Sequence, residues 1–383
     1  MNSFSVEESR RVYGAKMKAI GVGGGGCNMI NHMIKEGLDR IDLAVTNTDA
    51  QALQNSLAKT KIQLGESLTK GLGAGMSPEL GKSAAEESYD TLKDALEYSD
   101  IVFVAAGLGG GTGSGAASVV AKAAKERQAL TIGVVPTPFN FEGKKRQRIA
   151  KEAVEELKKE CDSIIVIPNQ KLLSIIDKKA VIKESFKVVD DVLARAVNGM
   201  SSIILDSGDS DINLDFADVR KVMSHRGLAL MGVGVSQGDN AAAEALKDAI
   251  QSPLLDDMSI NGALGVLVHF KIHPDCSLYD ISEAMETIVT EAVHENADVI
   301  FGTTADESIE NNRVEVTLVA TGFESEKKEQ TIQAKNEKTD SELSEIKKMA
   351  LSRQRFKKVS GGVDLSDVYD ELDEPAYLRN KMD

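Results

Sequence analysis

The stretch VAAGLGGGTGSGAASVVAKAAKE runs from Val104 to Glu126, and its reading decides the rest of the chain. Its centre, Gly109–Gly115 (GGGTGSG), places five glycines in seven residues. Glycine loses more backbone freedom on folding than any other residue and is poor inside helices and strands. Consecutive N–H groups without side chains offer a return, because they can wrap phosphate oxygens closely, and a helix starting just beyond adds the partial positive charge of its amino end. The flanks supply that setting. DIVFVAAG (100–107) reads as a buried strand, and SGAASVVAKAAKE (114–126) as the helix that follows. Thr112 adds a hydroxyl suited to a phosphate or a magnesium ion.

Two further glycine loops occupy comparable junctions. Gly21–Gly26 (GVGGGG) lies between the strand MKAIGVG and a helix expected from near Asn28. It matches GxGxxG, which alone fits a tight turn or a dinucleotide fold. Gly71–Gly75 (GLGAG) precedes Gly81-Lys82-Ser83 and nearly spells a P-loop, but GxxxxGKS needs glycine where Met76 stands. A phosphate cradle depends on the register of successive N–H groups, so the P-loop is rejected and Lys82 reads as a solvated helix residue. A nicotinamide-dependent enzyme would use Asp49, in IDLAVTNTD, as its ribose acid. That reading leaves GGGTGSG unexplained. Three glycine loops at βα junctions point instead to a polyphosphate ligand.

Around these loops, short β-branched runs alternate with amphipathic stretches. MKAIGVG, IDLAVTNTD, DIVFVAAG, LTIGVVP and DSIIVIPN read as strands; Gly81–Ser99 and Glu142–Glu160 read as helices. The alternation predicts a parallel sheet wrapped by helices, with ligands at the carboxyl ends of its strands. A long helix is expected over Lys183–Ile204, with Phe186, Val189, Leu193, Val197 and Met200 on one side. Strands at Gly227–Ser236, Gly262–His273, Asp298–Thr303 and Arg313–Ala320, with helices at Ala241–Gln251 and Leu278–His294, predict a second, smaller α/β domain of mixed sheet. From Glu324 the chain is charged and poor in apolar residues, which predicts a flexible linker. Leu365, Val368, Tyr369, Leu372, Tyr377 and Leu378 then recur at near-helical spacing, as in a peptide that docks into a partner's groove.

The 383 residues carry 60 acidic and 45 basic side chains, a net charge of −15, which disfavours nucleic acid as a partner. No apolar run is long enough to span a membrane, and no signal peptide is apparent. The three scattered cysteines are too few for a disulfide framework. Together these predict a cytoplasmic protein. His269, His273 and Cys276 could suggest a metal, but a fourth ligand is not apparent, and no metal site is expected there.

GGGTGSG matches the tubulin signature. With GVGGGGCN, NTDAQAL, GLGAGMSPELGKSAAEES, TPFNFEGKKR, IPNQKLL, NLDFADVRKVM and DEPAYLRNKMD in order, the chain resembles the FtsZ family of bacterial tubulin-like cell-division GTPases, from about Lys16 to Gly322 and again in the tail. The resemblance implies a GTP-binding domain over 16–182 behind a flexible segment 1–15, a central helix over 183–204, and a GTPase-activating domain over 205–323. A linker over 324–363 and a docking peptide over 364–383 complete the division. GTP and GDP are the implied ligands, with Mg²⁺ and, as a further candidate, a monovalent cation. Gly23, Gly24, Gly25, Gly26, Asn28 and Asn47 would cover phosphates, sugar and base; Gly107, Gly110, Gly111, Thr112 and Gly113 would hold the phosphates; Ala74 and Gly75 would sense the terminal one. Glu142 and Arg146 resemble ribose and nucleotide contacts. Asn169, Phe186 and Asp190 resemble the base pocket, and aspartate suits guanine, which offers donors at N1 and its exocyclic amine.

Asn213, Asp215 and Asp218 are the implied catalytic set. On local spacing alone, Asp215 would be a helix cap and Asp218 a first-turn acid. The central helix would also carry them some thirty ångströms from the nucleotide, at about 1.5 Å per residue. The resemblance implies that subunits stack head to tail, so that this loop completes the site of the next subunit and hydrolysis drives filament turnover. The segment before Asn213 is acidic and about two residues longer than the family spacing. Asp364–Asp383 would bind membrane-anchoring and regulatory division proteins, holding filaments at midcell beneath the inner membrane without direct membrane insertion.

Overall fold

Two faces of one sheet, each buried by helices, organise the chain. The computed structural model describes residues 15–38, 40–173, 182–205, 216–225, 227–252, 255, 260–291 and 297–323. The amino-terminal segment, Asn213, Asp215 and their acidic loop, the linker and the docking peptide therefore lie outside the described residues, as does the side chain of Phe186.

Strand β1 (Met17–Val22) leads into α1 (Gly23–Lys35), and β2 (Asp42–Asn47) into α2 (Ala50–Gln54). An edge strand β3 (Thr60–Gln63) is followed by short α3 (Glu66–Thr69), then α4 (Pro78–Glu87) and α5 (Tyr89–Ala95). Next come β4 (Ile101–Ala106), α6 (Thr112–Glu126), β5 (Leu130–Thr137), α7 (Lys144–Glu160), β6 (Ser163–Pro168) and one turn of helix, α8 (Asn169–Leu172). The long α9 (Ile182–Leu205) and α10 (Phe216–Met223) precede β7 (Gly227–Gln237), α11 (Ala241–Ile250), β8 (Gly265–Ile272), α12 (Leu278–Glu291), β9 (Asp298–Ala305) and β10 (Arg313–Thr321).

The strands lie in the order β3-β2-β1-β4-β5-β6-β7-β10-β8-β9. Every pairing from β3 to β7 is parallel, β10 runs antiparallel to β7 and β8, and β9 is parallel to β8. The expected second, mixed arrangement is thus present, joined to the parallel strands through β6 and β7. Strand order reverses between β1 and β4, so the loops after these two strands diverge and leave a crevice at the carboxyl ends.

Alternation along the strands divides the core. Ala19, Phe103 and Val134 face α1 and α9, meeting Met29, Ile30 and Met33 from the first and Val189, Leu193, Val197 and Met200 from the second. Ile20, Val22, Val102 and Val104 face the opposite layer of α4, α6 and α7. In that layer small residues on α6 (Ala116, Ala117, Ala121, Ala124) allow close helix contact. A third cluster joins α11 and α12 to β8 and β10.

Three local differences from the sequence expectation have simple causes. The helix expected from near Asn28 begins at Gly23, so the glycines form its first turn rather than a loop. The single helix expected over Gly81–Ser99 breaks at Ser88 (φ −100°, ψ 18°), while Ala84, Ala85, Leu92 and Leu96 on either side stay buried in one core. Strand β3 was not expected, since TKIQ has only Ile62 to bury.

Candidate functional site: a glycine-lined cleft

A cleft of about 340 Å³ opens at the carboxyl ends of β1, β4 and β5, where the strand order reverses. Of the expected binding residues it is lined by Gly24, Gly25, Asn28, Gly75, Gly107, Gly110, Gly111, Thr112, Gly113, Glu142, Arg146, Asn169 and Asp190. Met29, Leu108, Pro136, Thr137, Pro138 and Val189 line it as well and were not expected.

The glycines divide by what an added Cβ would meet. At Gly25 it would come within 2.9 Å of the Gly107 Cα, so the first and third glycine loops touch backbone to backbone. Gly26 would strike the Ala105 carbonyl at 2.4 Å, Gly113 the Gly107 carbonyl at 2.3 Å and Gly115 the Pro78 carbonyl at 2.0 Å. Gly109 has φ +101°, a left-handed conformation that side chains resist. Gly24 and Gly110 differ from all of these. Neither has a left-handed φ, and a Cβ on either would meet nothing within 4 Å. Both line the cleft, so the space their missing side chains leave is available to a ligand.

The donors match that space. Neither α1 nor α6 has a side-chain cap, and neither has an acid in its first turn. Helix geometry orphans their first N–H groups and gives both ends partial positive charge. In the β4–α6 loop the Gly109 N–H is taken by Ser114 Oγ (2.9 Å) and the Gly111 N–H by the Gly75 carbonyl (3.0 Å). The N–H groups of Gly110, Thr112 and Gly113 have no acceptor among the described residues. The Thr112 hydroxyl shares a 2.7 Å hydrogen bond with Thr48 Oγ1 and is thereby oriented.

Past β5, Glu142 accepts from the Phe139 N–H (2.9 Å) and from Arg146 Nη1 (2.7 Å), so it positions that guanidinium against the cleft. At the other end, buried Asn169 has an Oδ1 with no hydrogen-bond partner. Asp190, half-buried on α9, makes no hydrogen bond or ion pair with another described residue. Burial pushes its carboxyl up from 3.8 to about 6, while nearby His32 pulls the other way. An unmatched acceptor and a desolvated carboxylate facing one cleft call for a ligand with several N–H donors. Guanine fits that demand, and the uncapped helix ends fit phosphates.

Other expected residues are placed elsewhere. Gly23, Gly26, Asn47 and Ala74 do not line the cleft. Gly23 packs against the Gly113 N–H, Ala74 lies under Gly111, and buried Asn47 donates to Cys27 Sγ (3.9 Å) and accepts from the Asp49 N–H (3.3 Å). Asp49, the acid a nicotinamide site would need, caps α2 by accepting from Gln51 and Ala52 N–H at 2.9 and 3.1 Å. His269 Nε2 is hydrogen-bonded to Thr304 Oγ1 at 2.9 Å.

Asp218 lies at the far end of the sheet. It is exposed in the first turn of α10, and two residues on Arg220 donates to the Gln128 carbonyl (3.1 Å), just before β5 begins. The cleft sits beyond the other end of that eight-residue strand, about 26 Å away at 3.3 Å per residue.

An uncapped helix pair at the reversal of a parallel sheet, closed by a long central helix carrying a carboxylate, defines a tubulin-like GTPase that binds GTP and GDP. The model of the Tubulin/FtsZ family GTPase domain matches residues 16–177, and that of the FtsZ family C-terminal domain matches residues 227–324. A solved FtsZ dimer from M. jannaschii is 44% identical, with a TM-score of 0.76, covering 81% of this chain and 89% of that one. A substituted FtsZ from M. jannaschii is also 44% identical, with a TM-score of 0.77 and coverage of 82% and 92%. CetZ2 from Haloferax volcanii, solved as a GTPγS-bound protofilament, shares the fold at 21% identity (TM-score 0.68, covering 84% of this chain and 99% of that one). The chain belongs to the FtsZ family.

Proposed function

We propose that this GTPase assembles head to tail into the filaments of a cell-division ring, and that each subunit's catalytic loop acts on the nucleotide of its neighbour. The position of Asp218 carries the reading. It lies at the amino end of the parallel strands, tied there through Arg220 to Gln128, while the cleft opens at their carboxyl end. A carboxylate so placed serves a cleft only in another copy. Exposed Leu72 and Met76, beside Gly75, and Phe141, beside Glu142, give the cleft rim an apolar surface suited to such a neighbour. A heterologous contact of this kind does not close and therefore extends.

In this mechanism the first-turn N–H groups of α1 and α6 hold the phosphates, with Gly24 and Gly110 leaving them room. Arg146, held by Glu142, faces the nucleotide, and Asn169 with Asp190 and Phe186 reads the base as guanine. Asp215 and Asp218 from the adjoining subunit polarise the attacking water, and Asn213 positions it. The oriented Thr112 hydroxyl would help hold a Mg²⁺ bound with the triphosphate, which would offset phosphate charge, and a monovalent cation beside the carboxylates is a further candidate. Asp364–Asp383 would recruit membrane-anchoring and regulatory proteins to midcell; deleting it should spare hydrolysis and abolish adaptor binding, and unchanged adaptor affinity would refute that role.

Phosphate release from GTP with Mg²⁺, measured across protein concentrations, tests the shared site. Activity per subunit should rise from near zero above a threshold and vanish in Asp215→Ala. Activity independent of concentration would mean that one chain completes its own site.

A further inference from the structure

Behind the cleft, α1 and α9 meet around a side-chain cluster that the nucleotide chemistry does not use. Buried His32 on α1 presents Nε2 to Asp191 Oδ1 on α9 at 3.4 Å and to Glu36 Oε1, one turn along α1, at 3.9 Å. One ligand atom from each of the three lies within 4.8 Å of the others, and theirs is the one such group among the described residues. Asp191 is oriented by Arg195, whose Nε donates to the other carboxylate oxygen at 3.3 Å.

Two carboxylates and an imidazole nitrogen converge here with a single guanidinium in attendance. With neutral histidine the cluster carries a net charge of −1, so a further cation would be welcome between the three atoms. Zinc binds histidine nitrogen and carboxylate oxygen at about 2.0–2.2 Å in tetrahedral geometry, which puts neighbouring donors about 3.3–3.6 Å apart. The His32–Asp191 separation already meets that spacing. Glu36, half-exposed at the end of α1, stands 3.9 Å from His32 Nε2 and within 4.8 Å of the Asp191 oxygen, so its side chain must swing in by up to about an ångström to reach that spacing, a motion its exposure permits. The third element is the oriented outer shell that metal-binding carboxylates need, supplied by Arg195.

We propose that His32, Glu36 and Asp191 form a binding site for a first-row transition-metal dication of the Zn²⁺ class, with water completing the coordination. The site links the two helices that carry Asn28 and Asp190 to the cleft. It uses none of the nucleotide-binding groups.

Cobalt(II) is the probe, because tetrahedral coordination gives it a strong visible band. Titrated into the full-length chain with GDP bound, Co²⁺ should produce that band at one equivalent, and Zn²⁺ should erase it. His32→Gln should abolish the band. Glu36→Gln, an isosteric change at a half-exposed position, should weaken Co²⁺ binding at least about tenfold. GDP retention by both variants would show that they are folded. Absence of the band in the wild type would overturn the proposal, leaving the cluster a plain imidazole–carboxylate contact between α1 and α9. A band persisting unchanged in both variants would overturn it equally, because the metal would then sit elsewhere.

Discussion

Substituting Gly24 by alanine should make the nucleotide-free protein more stable and its nucleotide weaker. Gly24 is in the first turn of α1, has no left-handed φ, and a Cβ there meets no protein atom within 4 Å. Replacing glycine by alanine at a compatible site stabilises by about 0.4–1 kcal/mol, chiefly by restricting the unfolded chain. In a protein of this size that raises the midpoint by about 1–3 °C. With GDP present the sign reverses. The new methyl projects into the cleft and displaces a phosphate oxygen from an orphaned N–H, a charge-assisted hydrogen bond of about 1.5–3 kcal/mol. GDP affinity should therefore fall about 10- to 150-fold. Thermal unfolding with and without GDP, together with a direct GDP titration, reads both effects. A lower midpoint in the nucleotide-free variant, or an unchanged GDP affinity, would refute the assignment of Gly24 to ligand space.

The neighbouring Gly26→Ala should behave oppositely: its Cβ would sit 2.4 Å from the Ala105 carbonyl, so the nucleotide-free protein should lose about 1–3 kcal/mol in urea denaturation. Asp190, raised to about 6 from 3.8, contributes stability that is present below about pH 4 and lost as pH rises through 6. Without nucleotide, Asp190→Asn should thus be the more stable protein at pH 7.5, by on the order of 1–3 kcal/mol once partial exposure is allowed for. GDP affinity should strengthen from pH 5 to 7 in the wild type and stay flat in Asp190→Asn; parallel pH profiles would sink the base-pocket assignment. At a GTP concentration that fills the wild-type cleft but leaves the weakened Gly24→Ala cleft largely empty, Gly24→Ala and Asp218→Ala should each be nearly inactive alone, and mixing them should restore roughly a quarter of wild-type phosphate release, since one junction in four pairs an intact cleft with an intact carboxylate. No recovery in the mixture would argue against a site shared between subunits.

Which parts were legible in the sequence follows from how each residue is used. The strands of the parallel region announce themselves because Ile101–Ala106 and Leu130–Pro136 are buried along nearly their whole length. Edge strand β3 has one apolar residue and gives no such signal. The break at Ser88 is hidden because both flanking helices bury apolar residues in the same layer. In the cleft, the glycine loops were readable as a set, but their individual duties were not. Gly110 and Gly113 look alike on paper, and only the surroundings show that one faces open space and the other a carbonyl. Pro136, Thr137 and Pro138 could have been found from their place at the carboxyl end of a strand. Met29 and Val189 could not, since they repeat the pattern of the core residues beside them. Asp49 fits two roles in sequence and is assigned by its hydrogen bonds to α2.

Under the proposed head-to-tail assembly, the opposed positions of the cleft and Asp218 make hydrolysis a matter of counting. A row of n subunits joined end to end holds n nucleotides but only n − 1 junctions. One terminal chain keeps a nucleotide that nothing can cleave, and the other shows a catalytic loop with nothing to act on. A pair of chains therefore works at half the per-chain rate of an endless row, and turnover per chain scales as (n − 1)/n. Severing such a row anywhere silences one site, so a bulk phosphate assay doubles as a ruler for mean length.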